Sequence, residues 1–205
     1  RGLDDPAAVL ATAKHFAGYS ETQGGRDSSE ADISRRKLRS FFLPPFERAV
    51  RAGAMTFMTG YQSMDGLPST ANRWLLTEVL KDEWDFRGVL VTDWDNVGRL
   101  VHEQKVCATF ADAAVVALRA GNDIVMTTPQ FHQGALEAVR SGRLSEAEID
   151  GPCARLLALK FRMGLFENPR RADLARAAAE IARPEHRAVN LEAARQSLIL
   201  LQNDG

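Results

Sequence analysis

The stretch Gly88-Val89-Leu90-Val91-Thr92-Asp93-Trp94-Asp95 governs how the whole chain is read. Val89, Leu90 and Val91 are a continuous apolar run without alternation. Such a run predicts a strand buried on both faces, the pattern of a parallel sheet covered by helices. Asp93 follows where that strand should leave the sheet. In parallel α/β folds, chemistry collects at the carboxyl ends of strands. Asp93 is therefore the first candidate for a catalytic group.

Working outward, strand and helix signals alternate. The segment 11–16 reads as a strand after a helical lead-in from Pro6, and 18–29 as a polar loop. Ser34 suits a helix N-cap, and Pro44-Pro45 should end that helix and start the next, closed by Gly53. A second strand is expected over 54–60, then a loop over 61–71. Asn72 should cap an amphipathic helix carrying Leu75, Leu76, Val79, Leu80 and Trp84. The strand 88–94 is followed by a polar loop. Thr109 and Asp112 resemble a capping box for a helix closed by Gly121. A fourth strand is predicted over 123–127, a short helix over 134–140, and a last helical stretch from Ser145 and Glu148 to Met163. Four such repeats imply a parallel sheet, either a small open one or half of a closed barrel. The segment 167–182 is alanine-rich and charged, as in a linker. A helix over 183–196 and a strand over 197–202 would follow.

With 205 residues the chain can bury a core of ordinary domain size. Its net charge of −1 gives no electrostatic footprint for nucleic acid or an anionic membrane, so neither is expected as a partner. No apolar run approaches the ~20 residues of a membrane span. Cys107 and Cys153 lie far apart without ligand spacing and read as free thiols. His15, His102, His132 and His186 form no zinc pattern, and neither metal nor cofactor is expected. The chain opens on Arg1 and reads as a piece of something longer. Compartment and oligomeric state are left open.

Unusual polar residues gather at the predicted strand ends: Lys14 and His15, Met58 and Tyr61, Asp93 and Trp94. Each has a bland reading. Lys14-His15 could be a solvated strand end, Tyr61 and Trp94 packing, Asp93 a turn residue. Their coincidence at three ends is what favours a site, because those ends converge on one face of a parallel sheet.

The segments AKHFAGY, GGRD, DIS-x-R-x-LR-x-FFLPPFERAV-x-AGA, MTGY-x-x-x-DG-x-P, N-x-WLLT-x-VLK-x-EW-x-F-x-GVLVTDW and ALKFRMGLFE closely resemble glycoside hydrolase family 3. RQSLILLQNDG resembles the entry to that family's second domain. The resemblance covers nearly the whole chain. It implies the second half of a (β/α)8 TIM-like barrel over 1–166, a linker over 167–182, and the opening helix and strand of an α/β sandwich domain over 183–205. It also implies a retaining exo-β-glycosidase of β-glucosidase or β-xylosidase type, acting on a β-linked oligosaccharide or glycoside. Carried over by motif, Asp93 matches the nucleophile. Lys14 and His15 match the pair that grips the sugar in subsite −1, and Tyr61 and Trp94 its aromatic walls. Met58 shares the Tyr61 motif, and Arg99 matches a basic residue near subsite +1. Arg26 and Asp27 fall in a recognisable loop without an assigned role.

A retaining glycosidase sets an ionised carboxylate about 5–5.5 Å from a protonated one. Lys14 is expected close to Asp93, keeping it charged. No acid/base is identifiable, and in β-glucosidase-like members it lies in a later domain. Asp95 reads as a loop or cap residue. Ala17 and Tyr19 depart from the motif of the N-acetylglucosaminidase branch, which carries its acid/base after the Lys-His strand. Two rival readings are a Schiff-base lyase using Lys14 and a sugar-binding pseudoenzyme.

Overall fold

The computed structural model describes Asp5 and residues 8–205. The chain divides into two compact units, Arg1–Phe166 and Glu167–Gly205.

The first unit is α/β, built on a parallel three-stranded sheet. Strand β1 (Thr12–Phe16) pairs with β2 (Thr56–Thr59), and β2 with β5 (Val89–Val91). The central strand alternates: Phe57 and Thr59 are buried, whereas Thr56 and Met58 are half-buried. Phe57 enters an aromatic cluster, with ring centroids 5.6 Å from Phe16, 5.9 Å from Phe46 and 4.9 Å from Phe86. Each such ring buried on folding contributes on the order of 1.5–3 kcal/mol. Val89 and Leu90 are buried as expected, but Val91 is only half-buried. Met58 and Val91 are register partners, so they share the less covered face of the sheet.

The first helical rod runs without a break through α1 (Arg35–Lys37), a π-helical turn (Leu38–Phe42) and α2 (Leu43–Arg51). Ser34 caps it by accepting from the Lys37 N–H at 3.2 Å. Pro44 and Pro45 do not separate two helices, contrary to expectation. Proline lacks an N–H and its ring crowds the carbonyl four residues back. Widening the preceding turn to the π form relieves that conflict. The loop expected over 61–71 contains a small antiparallel pair, β3 (Ser63–Met64) and β4 (Leu67–Pro68), too short to read as strands. Asn72 caps as predicted, with Oδ1 accepting from Leu75 N at 3.1 Å, and the helix Trp74–Glu83 is π-helical.

The fourth strand does not form. The segment after Asn122 lies beside β5 but makes one bridge, Val91 to Ile124. Side chains occupy the places a ladder would use. The Asp123 carboxylate accepts from Leu90 N at 2.9 Å, and Thr92 Oγ1 accepts from Met126 N at 2.9 Å. The Asp123 side chain is fully buried and also takes Lys81 Nζ at 3.0 Å and Arg155 Nε at 2.7 Å. Burial lowers the Lys81 pKa, partly offset by that carboxylate. This knot joins the sheet edge to the last helix of the unit.

The polar loop after Asp95 begins with an unforeseen helix, α3 (Asn96–His102). Helix α4 (Phe110–Ala120) starts at the Thr109–Asp112 capping box and ends at Gly121 with φ 117°. Helix α5 (Gln130–Arg140) starts earlier than predicted. Helix α6 (Glu146–Arg162) keeps Pro152 inside and opens on the Ser145–Glu148 box. The lead-in expected from Pro6 starts outside the described residues.

The second unit has two helices, α7 (Leu174–Glu180) and α8 (Pro184–Ser197). Helix α7 lies inside the stretch expected to be linker, capped by Asp173. The strand predicted after α8 is irregular, and Leu198 to Leu201 are at least 76% exposed. An apolar run becomes a strand only when another strand completes its hydrogen bonds.

Candidate active site

Asp93 sits two residues beyond β5, on the segment where the chain turns into α3. It is 9% exposed, and three donors converge on it. Oδ1 accepts from Tyr61 Oη at 2.9 Å and from the Trp94 N–H at 2.7 Å. Oδ2 lies 3.0 Å from His15 Nε2. The three β-strand ends thus deliver His15, Tyr61 and Asp93 to one point. A carboxylate with three donors is held in one orientation and can only accept from them.

Burial lowers the His15 pKa, partly offset by Asp93 and lowered further by Lys14. The imidazole is therefore neutral near pH 7 and meets Asp93 as an N–H donor. The Tyr61 phenol is pushed up, first by burial and then by its bond to Asp93, so it stays protonated. Its ring lies 4.5 Å from the Arg99 guanidinium.

The other expected residues are less closely gathered. Trp94 gives its backbone N–H to Asp93 while its side chain is 61% exposed, leaving a broad apolar face beside the carboxylate. Arg99 touches the cluster through Tyr61 and is otherwise engaged by Ser28 Oγ at 3.0 Å and by Glu103. Met58 stands in β2 opposite Val91. Lys14 is exposed and forms no ion pair with Asp93. The expected charge partner is therefore replaced by His15, whose Nε2 lies 3.0 Å from Asp93 Oδ2. An exposed lysine also lacks the desolvated pocket that activates a Schiff-base nucleophile.

Asp95 is a structural residue. Its Oδ1 accepts from Thr128 Oγ1 at 2.9 Å, and its N–H reaches Met126 O at 3.1 Å. Its Oδ2 is 3.4 Å from His102 Nε2. Among the described residues, no cluster of His, Cys, Asp and Glu has the arrangement of a metal site. Nor is any helix long and apolar enough to cross a membrane.

A family model for the N-terminal domain of glycosyl hydrolase family 3 matches residues 1–159. The chain belongs to glycosyl hydrolase family 3. This family-3 chain is 36% identical to a β-xylosidase of Formosa agariphila over 98% of its own length and 29% of that protein's. It is 33% identical to the periplasmic β-glucosidase of Salmonella typhimurium, covering 97% of the chain and 26% of the relative. Among solved structures it is similar to a β-glucosidase involved in saponin metabolism from intestinal bacteria. There the TM-score is 0.88 at 59% identity, over 97% of this chain and 26% of that one. A Listeria innocua β-glucosidase in complex with glucose superposes with TM-score 0.83 at 34% identity, over 95% of this chain and 26% of that one. The chain therefore spans less than a third of the length of these relatives.

Three residues near Asp93 were not expected as part of the site. Tyr19 packs on His15 with ring centroids 4.4 Å apart, and its phenol donates to Asp27. Asn96 is buried and donates through Nδ2 to Thr59 Oγ1 at 3.2 Å and Gly60 O at 3.1 Å. It ties the end of β2 to the Asp93 segment. Loop residues carry no periodicity that would announce such contacts. The aromatic at position 19, one turn beyond His15, was the available signal.

Proposed function

We propose that the protein carrying this chain is a retaining exo-β-glycosidase. It removes terminal non-reducing β-D-glucosyl or β-D-xylosyl residues by double displacement, with Asp93 as nucleophile. One observation carries the reading: a buried carboxylate at a strand end, aimed by three donors from three strand ends. A nucleophile must be ionised, oriented and shielded from water, and this arrangement supplies orientation and shielding. Family membership and the β-glucosidase and β-xylosidase relatives support the same chemistry. We further read 1–166 as the second half of a (β/α)8 barrel, 167–182 as an interdomain segment and 183–205 as the start of an α/β sandwich domain.

The general acid/base belongs to another part of the protein. The carboxylates of the loop after Lys14-His15, and Asp95 beside Asp93, are already engaged. Glu21 pairs with Lys37, Asp27 takes the Tyr19 phenol, and Glu30 accepts from Gly66 N at 2.8 Å. Asp95 holds Thr128. Lys14, His15, Met58, Tyr61, Trp94 and Arg99 remain the proposed substrate-binding residues. His15 and Tyr61 also aim the nucleophile, and the exposed Trp94 ring offers an apolar platform to a sugar or aglycone.

The test is covalent trapping. Full-length protein treated with a 2-deoxy-2-fluoro β-glucoside or β-xyloside should gain one glycosyl group, and peptide mapping should place it on Asp93. A label on Asp95 or elsewhere overturns the assignment, and an inverted first-formed product overturns double displacement. The isolated chain 1–205 should turn over neither aryl substrate, because a positioned acid contributes roughly 10²–10⁴-fold.

A further inference from the structure

We propose that Tyr19 and Asp27 form a positioning pair that fixes the His15 imidazole, and through it Asp93, while touching neither sugar nor reacting atoms. The inference rests on the glycosidase reading of Asp93. Its starting point is a gap in the usual way of holding a histidine. An imidazole that acts through one nitrogen is ordinarily oriented by a hydrogen bond at the other. His15 uses Nε2 toward Asp93 at 3.0 Å, and among the described residues no hydrogen bond reaches its Nδ1. The ring is instead oriented by its face. Tyr19 lies against it, with centroids 4.4 Å apart and planes inclined by 33°.

Tyr19 is in turn built into place from three sides. Gly18 adopts φ 76°, a left-handed turn that brings the next side chain back over His15. A Cβ at Gly60 would stand 2.2 Å from Gln62 Oε1 and 3.2 Å from the Tyr19 ring, so only glycine lets the ring and the β2 end approach. The third hold is the phenol, which donates to the Asp27 carboxylate. Burial and that bond raise the Tyr19 pKa, so the donor hydrogen is present throughout the working range of pH.

Asp27 also closes a circuit. Its neighbour Ser28 accepts from Arg99 Nη1 at 3.0 Å. Arg99 lies 4.5 Å from the centre of the Tyr61 ring, and Tyr61 donates to the second oxygen of Asp93. Adjacent residues of one exposed loop thus brace both side-chain donors of the carboxylate, one through Tyr19 and His15, the other through Arg99 and Tyr61. Asp27 and Ser28 are remote from β5 in sequence, so the loop holds the site across the sheet ends. A loop whose carboxylate is spent on a phenol serves geometry, not proton transfer.

The experiment uses the full-length protein in four variants: Tyr19→Phe, Asp27→Ala, Asp27→Asn and the double Tyr19→Phe/Asp27→Ala. Tyr19→Phe and Asp27→Ala should each lower kcat on an aryl β-glycoside about tenfold, with KM within twofold. Asp27→Asn keeps an oxygen that accepts the phenol and should stay within threefold of wild type. The double variant should be no worse than Asp27→Ala, since both cut one link. Selective ¹³C-histidine labelling gives a second readout, with His15 assigned through His15→Gln. Its ring signals should shift in Tyr19→Phe and Asp27→Ala and stay in Asp27→Asn. Effects that multiply in the double variant, or His15 signals unmoved by Tyr19→Phe, would overturn the pair. If wild type turned over no β-glycoside, the glycosidase reading would fall, and the His15 signals alone would decide the positioning role.

Discussion

Replacing Tyr61 with phenylalanine removes one O–H and leaves the ring. The ring's place does not depend on that hydroxyl, because the Arg99 guanidinium stacks on it at 4.5 Å. What is lost is the 2.9 Å bond to Asp93 Oδ1. A hydrogen bond to a charged group is worth about 1.5–3 kcal/mol. Oδ1 keeps the Trp94 N–H at 2.7 Å, and Oδ2 keeps His15 at 3.0 Å, so the lower part of that range applies. A loss of about 1.5–2 kcal/mol corresponds to roughly 10–30-fold in kcat/KM. The sign is informative. In the proposed double displacement the Asp93 charge would be consumed as the glycosyl ester forms, so a bond that merely stabilised that charge would slow attack. Its removal would then speed the reaction. A bond that aims the carboxylate must instead slow the reaction when removed. The assay is kcat/KM on an aryl β-glycoside together with the rate of inactivation by the matching 2-fluoro glycoside, both on protein whose melting curve matches wild type. Rates within threefold of wild type, or above it, would refute the aiming role of Tyr61.

Asp123→Ala should destabilise the first unit by about 3–5 kcal/mol, because it strips Lys81 and Arg155 of their buried counter-charge and leaves Leu90 N unpaired. Urea denaturation measures it, and a loss under about 1 kcal/mol would mean that the knot is dispensable. His15 should titrate below 6.5 by NMR. A folded-state pKa below the unfolded value makes a contribution to stability that is full above 6.5 and lost as pH falls through the lower folded midpoint. Lys14→Met should raise that midpoint, since Lys14 opposes imidazolium; an unmoved midpoint would deny the two side chains any electrostatic contact. Thr109→Ala breaks a reciprocal cap in which Thr109 Oγ1 accepts from Asp112 N at 3.1 Å and Asp112 Oδ2 accepts from Thr109 N at 2.9 Å. It should cost about 1 kcal/mol in thermal or chemical melts, and no change would show that the box is redundant with packing.

Much of the architecture was legible in the chain because it is written locally. Burial of Val89 and Leu90, the caps at Ser34, Asn72, Thr109 and Ser145, and the stop at Gly121 depend on a few neighbouring residues. The candidate carboxylate was legible for the same reason: Asp93 ends an apolar run, and family resemblance pointed to His15 and Tyr61. Tertiary structure decided what distant residues do to each other. The stretch 123–127 has strand composition, yet Asp123 and Thr92 spend their side chains where a ladder would need backbone. Residues 198–201 are apolar enough for a strand, but a strand needs a partner. Lys14 and His15 are adjacent, and only the folded chain shows that His15 meets Asp93 while Lys14 is exposed. Tyr19 and Asp27 carry no periodic signal, because their contacts follow from a left-handed glycine and a folded loop. Sequence determines which groups are present and which turns and caps they can make. Which of them converge on one carboxylate is a matter of distances between strand ends, and those exist only once the sheet has formed.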